Sequence, residues 1–109
     1  MNVFAIATSG MQAAVAGLEV SADNIAGSAE DSPMIPDGGS TAAPPHAAHQ
    51  LVQFSLADGG VGVQVAPASG DDLGLDLVTQ MMALDQFKAN AQVFQTGEEA
   101  MKTLLNLKA

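Results

Sequence analysis

His46 and His49, separated by two alanines, are the two imidazoles of the chain, and such a pair is the first place to look for a metal ligand or a general base. Both follow Pro44-Pro45, and neither a Cys nor a carboxylate cluster stands beside them to complete a ligand set, so they read as solvated loop residues. Ser and Thr are present, but neither His lies in a context that sets a base beside a nucleophile. Asp71, Asp72 and Asp76 lack the ligand spacing of a calcium loop and suit the start of a helix instead. Gly59-Gly60-Val61-Gly62 is followed by neither a Lys nor a Ser/Thr pair, and no helix begins there, so it is no phosphate cradle. Glu98 and Lys102 are spaced for a helical i,i+4 pair, which contributes about 0.2–0.5 kcal/mol. The expectation is a protein without a catalytic site, without a cofactor and without a metal.

Composition narrows the remaining classes. A chain of 109 residues forms one domain at most. Its apolar fraction of 48% is carried by Ala, Val, Leu and Met, with four Phe and no Trp or Tyr, so bulky core residues are scarce and small residues suited to close helix contact are plentiful. Twelve acidic residues against three Lys and no Arg give a net charge of −9, and the three Lys, at 88, 102 and 108, all lie near the C-terminus. Nothing in the chain can neutralise a row of phosphates, which argues against nucleic-acid binding, and the same balance argues against an anionic lipid surface. Without Cys there is no disulfide framework. The apolar N-terminus lacks the basic start of a secretory signal, Gln12, Glu19 and Asp23 interrupt it, and no window approaches a run of 18 apolar residues, so no membrane insertion is expected.

The elements follow from periodicity. Phe4, Ala7, Met11, Ala14, Leu18 and Ile25 recur at steps of three and four, interrupted at Ser21, and predict a helix from about Asn2 to Ala26 with Gly27 just past its end. Ser9, Ala13 and Gly17 form a line of small residues that would let another helix approach. From Gly27 to Gln50, Pro33, Pro36, Pro44 and Pro45 predict an irregular segment. Val52, Phe54 and Leu56, the turn residues Asp58-Gly59-Gly60, and then Val61, Val63 and Val65 predict a β-hairpin over Leu51–Ala66, whose apolar face must rest on the helices or on another subunit. Pro67 to Gly74 connects it to the last element, with Asp71 or Asp72 as N-cap. The last element, Asp76–Ala109, carries one apolar stripe at Leu77, Leu84, Phe87, Ala91, Phe94, Met101 and Leu105 and a second at Val93, Ala100, Leu104 and Leu107. The fold class expected is therefore mainly α. Segments 1–26 and 76–109 form helices that pair as a coiled coil, and 27–75 is a Pro/Gly-rich loop and short hairpin inserted between them.

Two motifs carry a resemblance. Phe87-x-Ala89-Asn90-x-x-Val93-x-x-Thr96-x-x-Glu99, followed by Met101-x-x-Leu104-Leu105-x-Leu107, resembles the C-terminal signature of the flagellar axial proteins of the rod and hook family. Leu77-Val78-Thr79 stands at that family's usual distance from the aromatic. Ser9-Gly10-Met11 and Ser21-x-Asp23-Asn24-Ile25-Ala26 resemble its N-terminal signature. The two together span about half of the chain, in the order that the family requires. Leu84-Asp85 stands where many members carry a polar pair, often Gln-Arg, and Gly27-Ser28-Ala29-Glu30 stands where a second Asn and a Thr-x-Gly-aromatic turn usually follow.

The resemblance implies a structural subunit of the bacterial flagellar basal-body rod, most like the small proximal-rod proteins because the insert is short. It further implies export without a cleaved signal through the flagellar type III apparatus, and a place in the periplasm-spanning rod beside other rod subunits, copies of itself and the export apparatus. The packing and assembly residues expected are Met11, Leu18 and Ile25 against Leu84, Phe87, Ala91, Phe94, Met101 and Leu105, with Asn24 and Asn90 as polar registry points. The alternative is a small cytoplasmic helical adaptor or chaperone that presents its C-terminal helix to one partner and does not polymerise.

Overall fold

The computed structural model describes residues 2–30, 48–68 and 73–108. The Pro-rich part of the insert with His46, and the capping positions Asp71 and Asp72, lie outside the described residues. Two long helices flank one hairpin in the order α1 (Val3–Glu30), β1 (His49–Ser55), β2 (Val61–Pro67) and α2 (Leu73–Lys108). The molecule measures 77 × 25 × 18 Å, a rod rather than a ball.

Helix α1 opens on a cap. The Asn2 side-chain oxygen accepts the Phe4 amide at 3.1 Å, and the Asn2 carbonyl accepts the Ile6 amide at the same distance, so two amides of the first turns are satisfied. The helix does not stop before Gly27 as its sequence suggests. It continues to Glu30, and Gly27 is a buried residue within it. The glycine therefore does not turn the chain here. By length and composition Val3–Gly27 is also apolar enough to cross a membrane, with a mean hydropathy of 1.4, although no unbroken apolar run of that length is present in it. In this fold one side of it packs on α2 and the hairpin. Helix α2 begins at Leu73, three residues ahead of the expected Asp76, and Asp76 falls in its first turn, where the helix dipole favours an acid.

The hairpin is antiparallel and in register from His49 opposite Pro67 to Ser55 opposite Val61. Its turn is a three-residue loop: the Leu56 amide donates to the Gly60 carbonyl at 2.8 Å and the Gly59 amide to the Leu56 carbonyl at 3.0 Å. Gly59, at φ 89°, takes the left-handed position that such a loop requires. The register also separates the two apolar rows. Leu51, Val61, Val63 and Val65 lie on one face, while Val52 and Phe54 lie on the other, because Val52 stands opposite Gln64 and Phe54 opposite Gly62. The ribbon therefore has apolar residues on both faces, and the expected single apolar face is replaced by two half-covered ones.

Candidate assembly surface

The two helices run antiparallel and meet in layers that recur every seven residues. A Cβ built on Gly97 would come 3.3 Å from the Phe4 ring and 3.9 Å from Val3, and one built on Gly10 would overlap the Asn90 amide. A Cβ on Gly17 would sit 3.5 Å from that of Ala83, and the Asn24 amide donates to Asp76 Oδ1 at 3.3 Å. The partners are thus 3 with 97, 10 with 90, 17 with 83 and 24 with 76. A seven-residue step sustained on both helices is the repeat that coiled-coil packing uses. Between the first two layers Phe4 and Phe94 meet edge to face, with ring centroids 5.0 Å apart at 70°.

This places the expected packing residues in a particular way. On α1 the buried line is Ala7, Gly10, Ala14, Gly17, Ser21 and Asn24, at steps of three and four. It shares Ala7 and Ala14 with the stripe read from the sequence. At the other positions it is turned by one residue, so that Gly10, Gly17 and Asn24 occupy the centre and Met11, Leu18 and Ile25 stand half-buried at its margin. The shift repeats on α2. Phe94 is half-buried in the seam against Phe4 and Phe87 is half-buried on the flank beside Met11 and Val15, but Ala83 is 5% exposed while Leu84 beside it is 46% exposed. Asn90, opposite Gly10, takes the centre beside Ala91. Met101 and Leu105, at 52% and 67%, lie beyond the end of α1. The physical reason is distance. Helices rich in Ala and Gly approach most closely along their smallest side chains, which forces the larger residues onto the flanks.

Ser21, which broke the apolar stripe, fits this seam without penalty. Its hydroxyl donates within its own helix to the Gly17 carbonyl at 2.9 Å, with the Leu18 carbonyl at 3.2 Å, so a 1% exposed side chain carries no unmet donor.

Asn24 does more than set the register of the helices. At 4% exposed, it donates from Nδ2 to the His49 carbonyl at 2.7 Å and accepts the His49 amide on Oδ1 at 2.9 Å. One side-chain amide thereby satisfies both outward backbone groups of His49, as a neighbouring strand would. The tip of the hairpin is held at the other end of α1, where Ser9 Oγ accepts the Val61 amide at 3.1 Å. Between these anchors Leu51 approaches Gly17, so the line Ser9, Ala13 and Gly17 is chiefly the seat of the hairpin, with Gly17 touching both hairpin and α2. His49 belongs to the first strand rather than to a loop. Its ring Nδ1 is 4.0 Å from Asp23 Oδ2, both side chains being well exposed. Among the described residues no group of three acids, His or Cys is placed to hold a metal.

Hairpin, α1 and α2 enclose a cleft of about 590 Å³ floored by Ala13, Gly17 and Ala83. Asp76 closes one end, its Oδ1 held by Asn24 and its buried Oδ2 without a hydrogen-bond partner among the described residues. Two shallower apolar grooves run along the flanks of the helix pair, one past Val3, Val93 and Ala100, the other past Met11, Val15 and Phe87. Met11 and Phe87 line the second groove, and Leu77, Met81 and Met82 stand exposed. The Glu98 and Lys102 pair forms as spaced, at 3.2 Å. The anchoring role of Asn24 toward the hairpin had no local signal, since its partner is 25 residues away. No protein-family model matches the chain, and no curated protein matches it.

Proposed function

We propose that this protein is a structural subunit of a bacterial flagellar rod, polymerising through its terminal helices. The observation that carries the reading is the contact between the two motifs behind the resemblance: Gly10 of Ser9-Gly10-Met11 receives the Asn90 amide of Ala89-Asn90. The motif residue Asn24 in turn joins α1 to Asp76 on α2. Motifs from opposite ends of the chain thus act as one packing unit. Both flanks of that unit are apolar, which suits a protein whose core is completed by neighbours. The departing pair Leu84-Asp85 is exposed, away from the seam, so a difference there changes an outer contact and leaves the helix pair intact.

Export without a cleaved signal, and partnership with other rod subunits and with the export apparatus, belong to the same proposal. Its test is incorporation. Phe94→Asp together with Leu105→Asp places one charge in the seam and one on the exposed end of α2, and should abolish recovery of the tagged chain in purified basal bodies. Leu105→Asp alone keeps the seam and separates an assembly defect from a folding defect. Unchanged incorporation of the double variant refutes the proposal.

A further inference from the structure

The register of the hairpin fixes where each backbone group points. The Ala68 amide donates to the Ala48 carbonyl at 2.9 Å and the Leu56 amide to the Gly60 carbonyl at 2.8 Å, so 48–68 and 56–60 are bonded pairs of the antiparallel ladder. Bonded and non-bonded pairs alternate, which makes 50–66, 52–64 and 54–62 the bonded pairs between them. The N–H and C=O of Leu51 and Gln53 on β1, and of Val61, Val63 and Val65 on β2, therefore point away from the other strand, as those of His49 do where Asn24 takes them. The two edges differ in what they face. Leu51 and Gln53 line the cleft, with α2 across it. On the β2 edge Ser9 takes the Val61 amide at 3.1 Å, and Pro67 has no amide while its carbonyl accepts Gln50 Nε2 at 3.3 Å. Between these ends Val63 and Val65, 38% and 53% exposed, hold outward groups that no described residue meets.

An open edge without a charge, a proline or a bulge is a template for another strand, and residues 62–66 contain none of these. The spacing of the open groups says which strand. Turned antiparallel about Gln64, a second β2 sets Val63 opposite the partner's Val65 and Val65 opposite the partner's Val63. Each such pair exchanges two hydrogen bonds, and together they use the N–H and C=O of Val63 and Val65 in both copies with none left over. The next pair outward, Val61 with the partner's Pro67, forms no bond, because Ser9 holds the Val61 amide and Pro67 has none. The open window thus begins and ends where its own mate does, and this self-matching selects a second copy over an unrelated strand. We propose that β2 pairs with β2 of a second copy about Gln64, joining two hairpins into one four-stranded sheet. On one face Val63 and Val65 of both copies form a single apolar row, and on the other the two Gln64 side chains meet. A ladder this short falls below the roughly 1,200 Å² of a standard specific interface. The pair is therefore weak and reversible. It closes at two copies, because it occupies the open edge of both. It goes beyond the rod reading and does not depend on it.

The absence of Cys lets the centre of the pair be trapped. Gln64 and its counterpart form a non-bonded pair, whose Cα atoms stand about 4.5 Å apart, within disulfide reach. Gently oxidised Gln64→Cys should give several-fold more disulfide dimer than it does in denaturant, and several-fold more than Val52→Cys, which lies opposite it on the same face but away from the edge. In the unaltered chain, hydrogen exchange at the Val63 and Val65 amides should slow several-fold as the concentration is raised to millimolar, while that of Gln64, bonded within the hairpin, stays constant. Val65→Pro removes an amide that the hairpin does not use, and should abolish the concentration dependence at Val63. Val65→Lys charges the edge without touching the backbone and should do the same, so it decides the matter if the proline unsettles the hairpin. Exchange at Val63 and Val65 that ignores concentration, or a disulfide yield at 64 no greater than at 52, overturns the inference. So does slowing at Val63 that survives Val65→Lys.

Discussion

Replacing Asn24 by Ala should free the hairpin while leaving the helices paired. The side chain makes two hydrogen bonds to the His49 backbone, at 2.7 and 2.9 Å, and one longer bond of 3.3 Å to Asp76. Each good bond contributes a net of about 0.5–1.5 kcal/mol, so the two to His49 amount to about 1–3 kcal/mol. Against a whole-domain stability of about 5–15 kcal/mol this is large for an element that hangs on few contacts. The expected result is a loss of that size in urea melts, with hydrogen-exchange protection collapsing first in β1 and β2 and persisting in α1 and α2. Asn24→Asp sharpens the test. It keeps the acceptor for the His49 amide, loses the donor to the carbonyl, and sets a second carboxylate against Asp76. Burial and that neighbouring charge favour the neutral acid in the folded state, so the new group carries a folded-state pKa above its unfolded value of about 3.9. The variant should stand closest to the parent below that pH and fall further behind as pH rises through the folded-state value. Unchanged hairpin protection in Asn24→Ala, or a pH-independent penalty in Asn24→Asp, would refute the anchoring role.

Two further substitutions probe the seam and the turn. Gly10→Ala should gain about 1 kcal/mol from helix propensity alone, yet the added Cβ overlaps the Asn90 amide, so the melting temperature should fall. Asn90→Ala in the same chain should recover most of that loss, and a double-mutant cycle measures the coupling. Gly59→Ala places a side chain at φ 89° and should cost about 1–2 kcal/mol in chemical denaturation, with Gly59→Asn costing less.

Much of the architecture is legible in the sequence because it is written in local periodicity. The two terminal helices, the alternation of the hairpin and the turn residues Asp58-Gly59-Gly60 each depend on neighbours within a few positions. What escapes is rotation about a helix axis. Reading Met11, Leu18 and Leu84 as the core gives weight to bulk, whereas the closest contact falls one residue away, on Gly10, Gly17 and Ala83. In a chain this rich in Ala and Gly, backbone approach competes with side-chain volume, and local pattern does not show which prevails. Gly27 misleads because α1 runs on through it to Glu30, and a glycine inside a helix and one just past its end look alike in sequence. The opposite facing of Val52 and Val61 depends on the hairpin register, which an odd-numbered loop sets. The double bond from Asn24 to His49 is a long-range contact with no local trace.

Export tests directly the proposal that the chain is an axial subunit. The tagged protein is expressed in flagellated cells with and without a working flagellar export apparatus, and the extracytoplasmic and basal-body fractions are assayed. The account predicts its presence in those fractions only when the apparatus works. Retention in the cytoplasm of both strains would contradict it and would favour the helical adaptor.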